Sequence, residues 1–158
     1  LANVAETDNK NDLLKRLEDY AENEEVKVLS LCNQIESEVA ELDQEERLGI
    51  LKEMGMNEPG LNRLIRESYE MLNLLTFFTT DAKKLRAWTI KKGSTASQAA
   101  GEIHSDFEKG FIKAETISYE DFVKNRGENG ARSAGKLRTE GSDYKVKDGD
   151  IIHFVFNV

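Results

Sequence analysis

One cysteine, one proline and two histidines are all that 158 residues hold of these types, and each scarcity removes a class of protein. The lone thiol, Cys32, cannot close an internal disulfide, so the chain reads as one for a reducing compartment, the cytoplasm. His104 and His153 stand too far apart in sequence to suggest a zinc site, and nothing beside Cys32 supplies metal-ligand spacing. No apolar run approaches the roughly 20 residues that a membrane-spanning helix needs. A signal peptide's basic start and apolar stretch are missing too. What is there is 39% hydrophobic and 33% charged, a globular balance too apolar for a disordered tail. The length suits one compact domain or two small ones.

The net charge of −8 is unevenly spread. Residues 1–75 carry 8 basic and 18 acidic side chains, whereas residues 76–158 carry 14 and 12. An acidic first half before a mildly basic second half suggests two units with different partners.

Hydrophobic periodicity divides the chain the same way. Leu1 is not a methionine, and Leu1-Ala2-Asn3-Val4 reads as the end of a strand that begins upstream, so a fragment is expected. Leu13, Leu14, Leu17, Tyr20 and Ala21 make one apolar stripe of an amphipathic helix. Residues 26–32 alternate and open on a β-branched side chain, as a strand does. Val39, Leu42, Leu48, Leu51 and Met54 mark one or two more helices, with Asp43 and Glu46 spaced as a capping box. Pro59 suits the first turn of a further helix whose buried face would be Leu61, Leu64, Ile65, Tyr69 and Leu72. Then the period changes. Residues 74–79 and 85–91 read as two strands. Thr95 and Gln98 form a capping box before a helix faced by Ala96, Ala99, Ala100, Ile103 and Phe107. Residues 111–119 read as a third strand, 125–141 as loop and short helix, and Asp148-Gly149-Asp150 as a turn. The closing stretch, 151–158, is apolar on both faces, which places it inside a sheet rather than at its edge. Its run to Val158 suggests a natural C-terminus. Two strands, a helix and further strands with the last one central make a β-grasp pattern.

Gly130-Ala131-Arg132-Ser133-Ala134-Gly135-Lys136 fits the spacing of a phosphate-binding loop. Leu137 then stands where a Ser or Thr should hold magnesium, and no apolar strand feeds the segment, so it reads as loop and helix. Asn3-Val4-Ala5-Glu6 sits after a strand end and before a helix, where GTPase folds carry an Asn-Lys-x-Asp base-reading motif; by themselves the four residues equally suit an ordinary loop at a helix N-terminus. A Glu in place of the Asp weakens guanine selection, and an Asn amide can pair with adenine's amino group and N7. Cys32 and Asn33 would form the next base-side loop. Cys32 has acidic neighbours, Glu36 and Glu38, and nothing to activate it as a nucleophile. Lys83, Lys84, Arg86, Lys91 and Lys92 gather around the strand that holds Trp88, with Phe77 and Phe78 on the strand before it. Cations interleaved with aromatics suit RNA, through phosphate attraction and base stacking. The alternative is a solvated face with Trp88 in the core. His104 reads as a surface or satisfied histidine, and His153 as packed in the sheet.

Several longer stretches carry a resemblance. They are Asn57-Glu58-Pro59-Gly60-Leu61-Asn62-Arg63-Leu64-Ile65-Arg66, Leu85-Arg86-Ala87-Trp88-Thr89-Ile90, Gln98-Ala99-Ala100-Gly101 with Ile103-His104, Asp106-Phe107-Glu108-Lys109-Gly110-Phe111-Ile112, Gly127-Glu128-Asn129-Gly130-Ala131, and the ending from Asp148 to Val158. Together they make the chain resemble the C-terminal half of YchF-type Obg-like ATPases over essentially its whole length. The resemblance implies an α+β chain in two parts. Residues 1–73 would be the distal strand-helix units of a P-loop α/β G domain. Residues 74–158 would be a TGS domain of ubiquitin-like β-grasp fold.

It also implies an intact protein that hydrolyses ATP in preference to GTP with magnesium and associates with ribosomes. The phosphate loop, switches and coiled-coil insertion would lie before Leu1, so this chain alone would not be catalytic. Asn3 and Glu6 match the family's Asn-x-x-Glu base motif. Cys32 and Asn33 correspond to the next base-side loop, where the family usually has a small residue at the position of Asn33. Ribosome or RNA contact would fall to Lys83, Lys84, Arg86, Lys91 and Lys92, without DNA specificity or membrane attachment. The rival expectation is a stand-alone ubiquitin-like module that binds proteins and has no nucleotide role.

Overall fold

The computed structural model describes residues 1–5, 11–81 and 84–157. The chain divides into two compact units, Leu1–Ser68 and Tyr69–Val158.

In the first unit, β1 (Ala2–Asn3) lies parallel to β2 (Ser30–Leu31), with Ala2 opposite Ser30 and Asn3 opposite Leu31. Four helices complete it: α1 (Asp12–Asn23), α2 (Asn33–Ala40), α3 (Gln44–Glu53) and α4 (Gly60–Met71), whose last turn passes into the second unit. Asn11 caps α1 by accepting the Leu14 N–H at 2.7 Å, and Asp43 caps α3 by accepting from Glu45 and Glu46. Each satisfies donors that a helix start leaves without partners. Pro59 precedes α4 and its carbonyl accepts from Asn62 and Arg63.

Two expectations change here. The strand expected over 26–32 is paired only at Ser30–Leu31, because a strand is defined by its partner and β1 pairs through two residues. The expected buried faces of α1 and α4 are only partly covered. Leu14 and Ala21 of α1 are buried, but Leu13 and Tyr20 are exposed. Of the face expected for α4, Leu61 and Ile65 are exposed, as is Leu72 just beyond the helix end.

The second unit is built on one mixed sheet with strand order β4-β3-β7-β5-β6. Its strands are β3 (Leu74–Asp81), β4 (Lys84–Lys91), β5 (Phe111–Ile117), β6 (Arg138–Glu140) and β7 (Ile151–Phe156). β3 and β4 pair antiparallel without a break, from Leu74 opposite Lys91 to Asp81 opposite Lys84. β7 runs parallel to β3 and antiparallel to β5, so the doubly apolar closing strand is central, as its pattern requires. Alternation sends Leu75 and Phe77 of β3, Ile90 of β4 and Ile152 and Phe154 of β7 to one face. There they pack with Ala96, Ala99 and Ala100 of α5 (Ala96–Ile103). Three alanines on one stripe let the helix approach closely. The Thr95–Gln98 capping box is formed in both directions.

His104 ends α5, and its ring accepts the Asp106 N–H to open α6 (Ser105–Lys109). Phe107 stacks on Phe156 with ring centres 3.7 Å apart. Two short helices, α7 (Tyr119–Lys124) and α8 (Glu128–Ser133), join β5 to β6, where the sequence led us to expect one helix and loop. His153 is exposed rather than packed: it alternates to the face opposite Ile152 and Phe154.

Candidate functional site

The first candidate site lies where the parallel pair of the first unit ends. β1 delivers Asn3 and β2 delivers Cys32, which is the N-cap of α2. The Cys32 side chain makes no capping bond. Asn3 does that work from the neighbouring strand: its side-chain oxygen accepts the backbone N–H of Asn33 at 3.1 Å. The two base-side loops expected from sequence are therefore brought together. Both asparagines are exposed and Cys32 is half-buried. With its oxygen turned to Asn33, Asn3 keeps its amide nitrogen as an outward donor. Glu6, the other half of the motif, lies outside the described residues.

Behind this edge is a pocket of about 230 Å³ lined by Cys32, Glu36, Arg63 and mostly apolar neighbours. Glu36 is the residue that sequence reasoning missed. Its carboxylate oxygens accept the Gly60 N–H at 2.8 and 2.9 Å and so hold the start of α4. A Cβ at Gly60 would lie 2.4 Å from Glu36 Oε1 and 2.5 Å from Leu31 Cδ2, so a side chain there would push both side-chain ends aside and disturb the Glu36–Gly60 hydrogen bond. The pair is 24 residues apart, and no local pattern announces it.

The phosphate-loop look-alike is used for something else. Its first glycine, Gly130, lies in α8 against Asn125, where a Cβ would fall 1.8 Å from the carbonyl oxygen. Its second, Gly135, ends α8 with φ of +69°. The N–H groups of Gly135 and Lys136 donate to Arg132 and Ala131 at 3.1 and 2.8 Å, closing a Schellman turn. The amides that would cradle a phosphate are spent within the helix end.

The second candidate site is β4, an outer strand of the sheet. Lys84, Arg86, Lys91 and Lys92 are all exposed. Among the described residues none of these four side chains has an ion-pair or hydrogen-bond partner. Lys83 lies outside the described residues. Alternation puts Lys84 and Arg86 on the core side of the strand, beyond the end of the core, and Lys91 on the other face. Arg86 and Lys91 are about 17 Å apart at ~3.4 Å per residue, so the cations form two groups.

The aromatics do not interleave with them as expected. Phe77 is buried, and Trp88 packs half-buried against the core. The indole N–H of Trp88 donates to Thr79 Oγ1 at 2.9 Å.

The opposite margin of the sheet is electrostatically closed. Lys113 donates to Glu115 at 2.7 Å, and Arg132 reaches Glu115 and Glu128. The Lys113 hydrogen bond chiefly holds the Glu115 carboxyl below the usual carboxylate range. Buried Asp150 accepts from the Tyr144 hydroxyl at 2.7 Å and the Lys147 N–H at 2.9 Å. Burial first, and Asp150 second, push the Tyr144 phenol up to about 12. Arg138 stacks over the Tyr144 ring. Among the described residues, no group of three His, Cys, Asp or Glu side chains is placed to hold a metal.

Comparison with known proteins fits this layout. Residues 74–157 match the family YchF-GTPase_C, described as a protein of unknown function (DUF933). Over its whole length the chain is 54% identical to the "Ribosome-binding ATPase YchF" of Escherichia coli O157:H7, covering 44% of that protein. It is 49% identical to the protein of the same name from Bacillus subtilis, again covering 44%. The chain thus spans less than half the length of these curated relatives. Among solved structures, the YchF GTPase of Schizosaccharomyces pombe superposes with a TM-score of 0.78 at 33% identity, over 97% of this chain and 42% of that one. A GTP-binding protein from Pyrococcus horikoshii shares the fold at a TM-score of 0.62 and 20% identity, over 94% of this chain and 43% of that one.

Proposed function

The chain belongs to the YchF-GTPase_C family, and on that premise we propose that it is the distal part of a cytoplasmic, ribosome-binding P-loop ATPase. In this reading residues 1–73 are the closing strand-helix units of the G domain and 74–158 a TGS domain of β-grasp fold. The strand order and the parallel β3–β7 pair support the second assignment. The division into compact units near Ser68 supports the boundary.

ATP and magnesium would belong to the whole protein, with the phosphates and metal held by its other segments. Of the residues present, Asn3 fits adenine. Its amide nitrogen would donate to N7, with its oxygen side held by Asn33. Glu6 would shape the same loop, and Cys32 and Asn33 would border the base.

The observation that carries the docking role is the two groups of exposed cations, Lys84 with Arg86 and Lys91 with Lys92, on an outer strand, without a partner among the described residues; Lys83 would join the first group. The test is co-sedimentation of the chain with ribosomes at increasing salt. We expect binding that weakens steeply with salt and is lost when Lys91 and Lys92 are changed to Glu. Binding indifferent to both salt and these substitutions would overturn the assignment and favour a protein contact made through a few buried anchors.

A further inference from the structure

Resting on the docking reading for the role of the flanking cations, we propose that the free edge of β4 takes up an extended peptide as an added strand, acidic at both ends and uncharged between. The edge is open in hydrogen-bonding terms. The Lys92 N–H, just past the end of β4, donates to the Asn73 carbonyl at 2.6 Å, on the β3 side. Backbone groups alternate in direction along an antiparallel strand. Residues 84, 86, 88 and 90 therefore bond to β3, and Leu85, Ala87 and Thr89 turn their N–H and C=O groups away from it. β3 keeps the same alternation: on its other side the Phe78 N–H donates to Asp150 and the Thr76 carbonyl accepts from Gly149. Among the described residues nothing pairs with the outward backbone groups of Leu85, Ala87 or Thr89, and all three residues are exposed. The Tyr69 hydroxyl lies 3.2 Å from Thr89 Oγ1, a side-chain contact that uses none of these groups.

Proteins blunt such edges by shortness, bulges, proline or charge. The other outer strand, β6, is short, with three residues. β4 has eight residues in unbroken register and no proline. Its guard is charge, and of one sign. Lys84 and Arg86 stand at one end and Lys91 and Lys92 at the other, all exposed. A second copy of β4 laid antiparallel on this edge would set cation against cation, which is destabilising. A strand with carboxylates at both ends would be attracted there, and its backbone would supply the donors and acceptors that the edge calls for.

The spacing sets the length of that strand. Arg86 and Lys91 are about 17 Å apart at ~3.4 Å per residue, so about four residues separate the two acidic ends. Beside those four the edge offers Ala87 and Thr89 on one face and the half-buried Trp88 on the other, none of them charged. Exposed Leu85 adds an apolar contact towards the first end. A nucleic-acid backbone offers phosphate acceptors but no alternating series of donors and acceptors, so the edge favours a peptide.

The experiment uses the whole chain and a labelled, end-blocked peptide of about eight residues, with two acidic residues at each end and alternating Val and Thr between. Fluorescence anisotropy gives the affinity, and amide hydrogen exchange locates the contact. At saturating peptide the Leu85, Ala87 and Thr89 amides should exchange at least tenfold more slowly. N-methylation of one alternate set of peptide amides should cost at least tenfold in affinity, and of the other set less than threefold. Ala87→Pro removes an outward N–H that the sheet does not use, a change edge strands tolerate, and should cost at least tenfold. Should that variant fail to fold, the N-methylated peptides decide the matter on the native chain. Lys91→Glu with Lys92→Glu should cost at least fivefold.

Failure of the peptide to bind, or binding that leaves the three amides unprotected and treats both N-methylated forms alike, would overturn strand addition while leaving the cationic docking margin in place. A free chain that is already a dimer with these amides protected would overturn it in favour of a second copy, and a short RNA that protects them where the peptide does not, in favour of nucleic acid. Slowed amides in the peptide complex, with ribosome co-sedimentation indifferent to salt and to the Lys91/Lys92 reversals, would remove the docking reading and leave the peptide site standing.

Discussion

Asn3 and Asn33, 30 residues apart, are joined by a hydrogen bond from the backbone of the second to the side chain of the first at 3.1 Å. One side chain thereby caps a helix and fixes the distance between two loops. Removing it should cost stability as well as recognition. We expect Asn3→Ala to lower unfolding free energy by about 1 kcal/mol, the usual worth of a cap, measured by urea denaturation. Asn3→Asp keeps the acceptor and loses the outward amide donor. It should leave stability nearly unchanged, yet weaken adenine-nucleotide binding when built into a full-length relative.

A side chain at Gly60 would have to displace the ends of Glu36 and Leu31. Gly60→Ala should destabilise the first unit by about 2–3 kcal/mol, from overpacking and a displaced charged hydrogen bond. Glu36→Gln keeps one acceptor for the Gly60 N–H and should cost less. Thermal unfolding of both variants checks the order.

Tyr144 makes stability fall in strong alkali. Its folded-state phenol is raised to about 12, whereas an unfolded tyrosine titrates near ~10. The stabilisation is complete below the unfolded value and is lost as pH rises from there through the folded one. Tyr144→Phe should be less stable at neutral pH, because buried Asp150 loses a donor, by about 1–2 kcal/mol. It should also lack the part of the decline between pH ~10 and ~12 that this phenol causes. Unfolding followed at several alkaline pH values checks both statements.

Glu115 works in the other direction. Its carboxyl is held low, chiefly by the Lys113 hydrogen bond, so its contribution is present above the unfolded carboxylate value and lost as pH falls through the folded one. Lys113→Met should therefore be less stable than the native chain at pH 7, by up to about 1 kcal/mol. The difference should shrink on acidification below pH ~4. A constant difference across that range would show that Lys113 acts through packing of its stem.

Local patterns were legible where one short stretch decides them. The Thr95–Gln98 box, the alanine stripe of α5 and the central place of β7 follow from spacing and alternation alone. The sequence singled out Asn3 and Asn33 in separate loops, and the two do meet. What could not be read were relations between distant residues. Glu36 reaches Gly60 across 24 positions, and Trp88 is taken from the expected stacking surface by Thr79 on a neighbouring strand. Alternation placed Trp88 on the side of both Arg86 and Ile90. Only the depth of the core under each residue decides that Ile90 and Trp88 pack while Arg86 projects. The stripes on α1 and α4 were correctly seen as apolar and incorrectly expected to be covered.

The parallel pairing of Phe78 with Ile151 has a consequence for the order in which this unit can be made. The strand in the middle of the sheet is the last of its strands to be synthesised, and its neighbour β3 is the first. The β3–β4 hairpin can form early, because its contacts are local. Joining it to β5 and β6 must wait for Ile151–Phe156, and the intervening chain must close as a large loop before that contact rewards it. During synthesis the unit passes through an interval in which two separate pieces of sheet expose unpaired strand edges and uncovered apolar faces without a bridge, the period when misassembly is easiest.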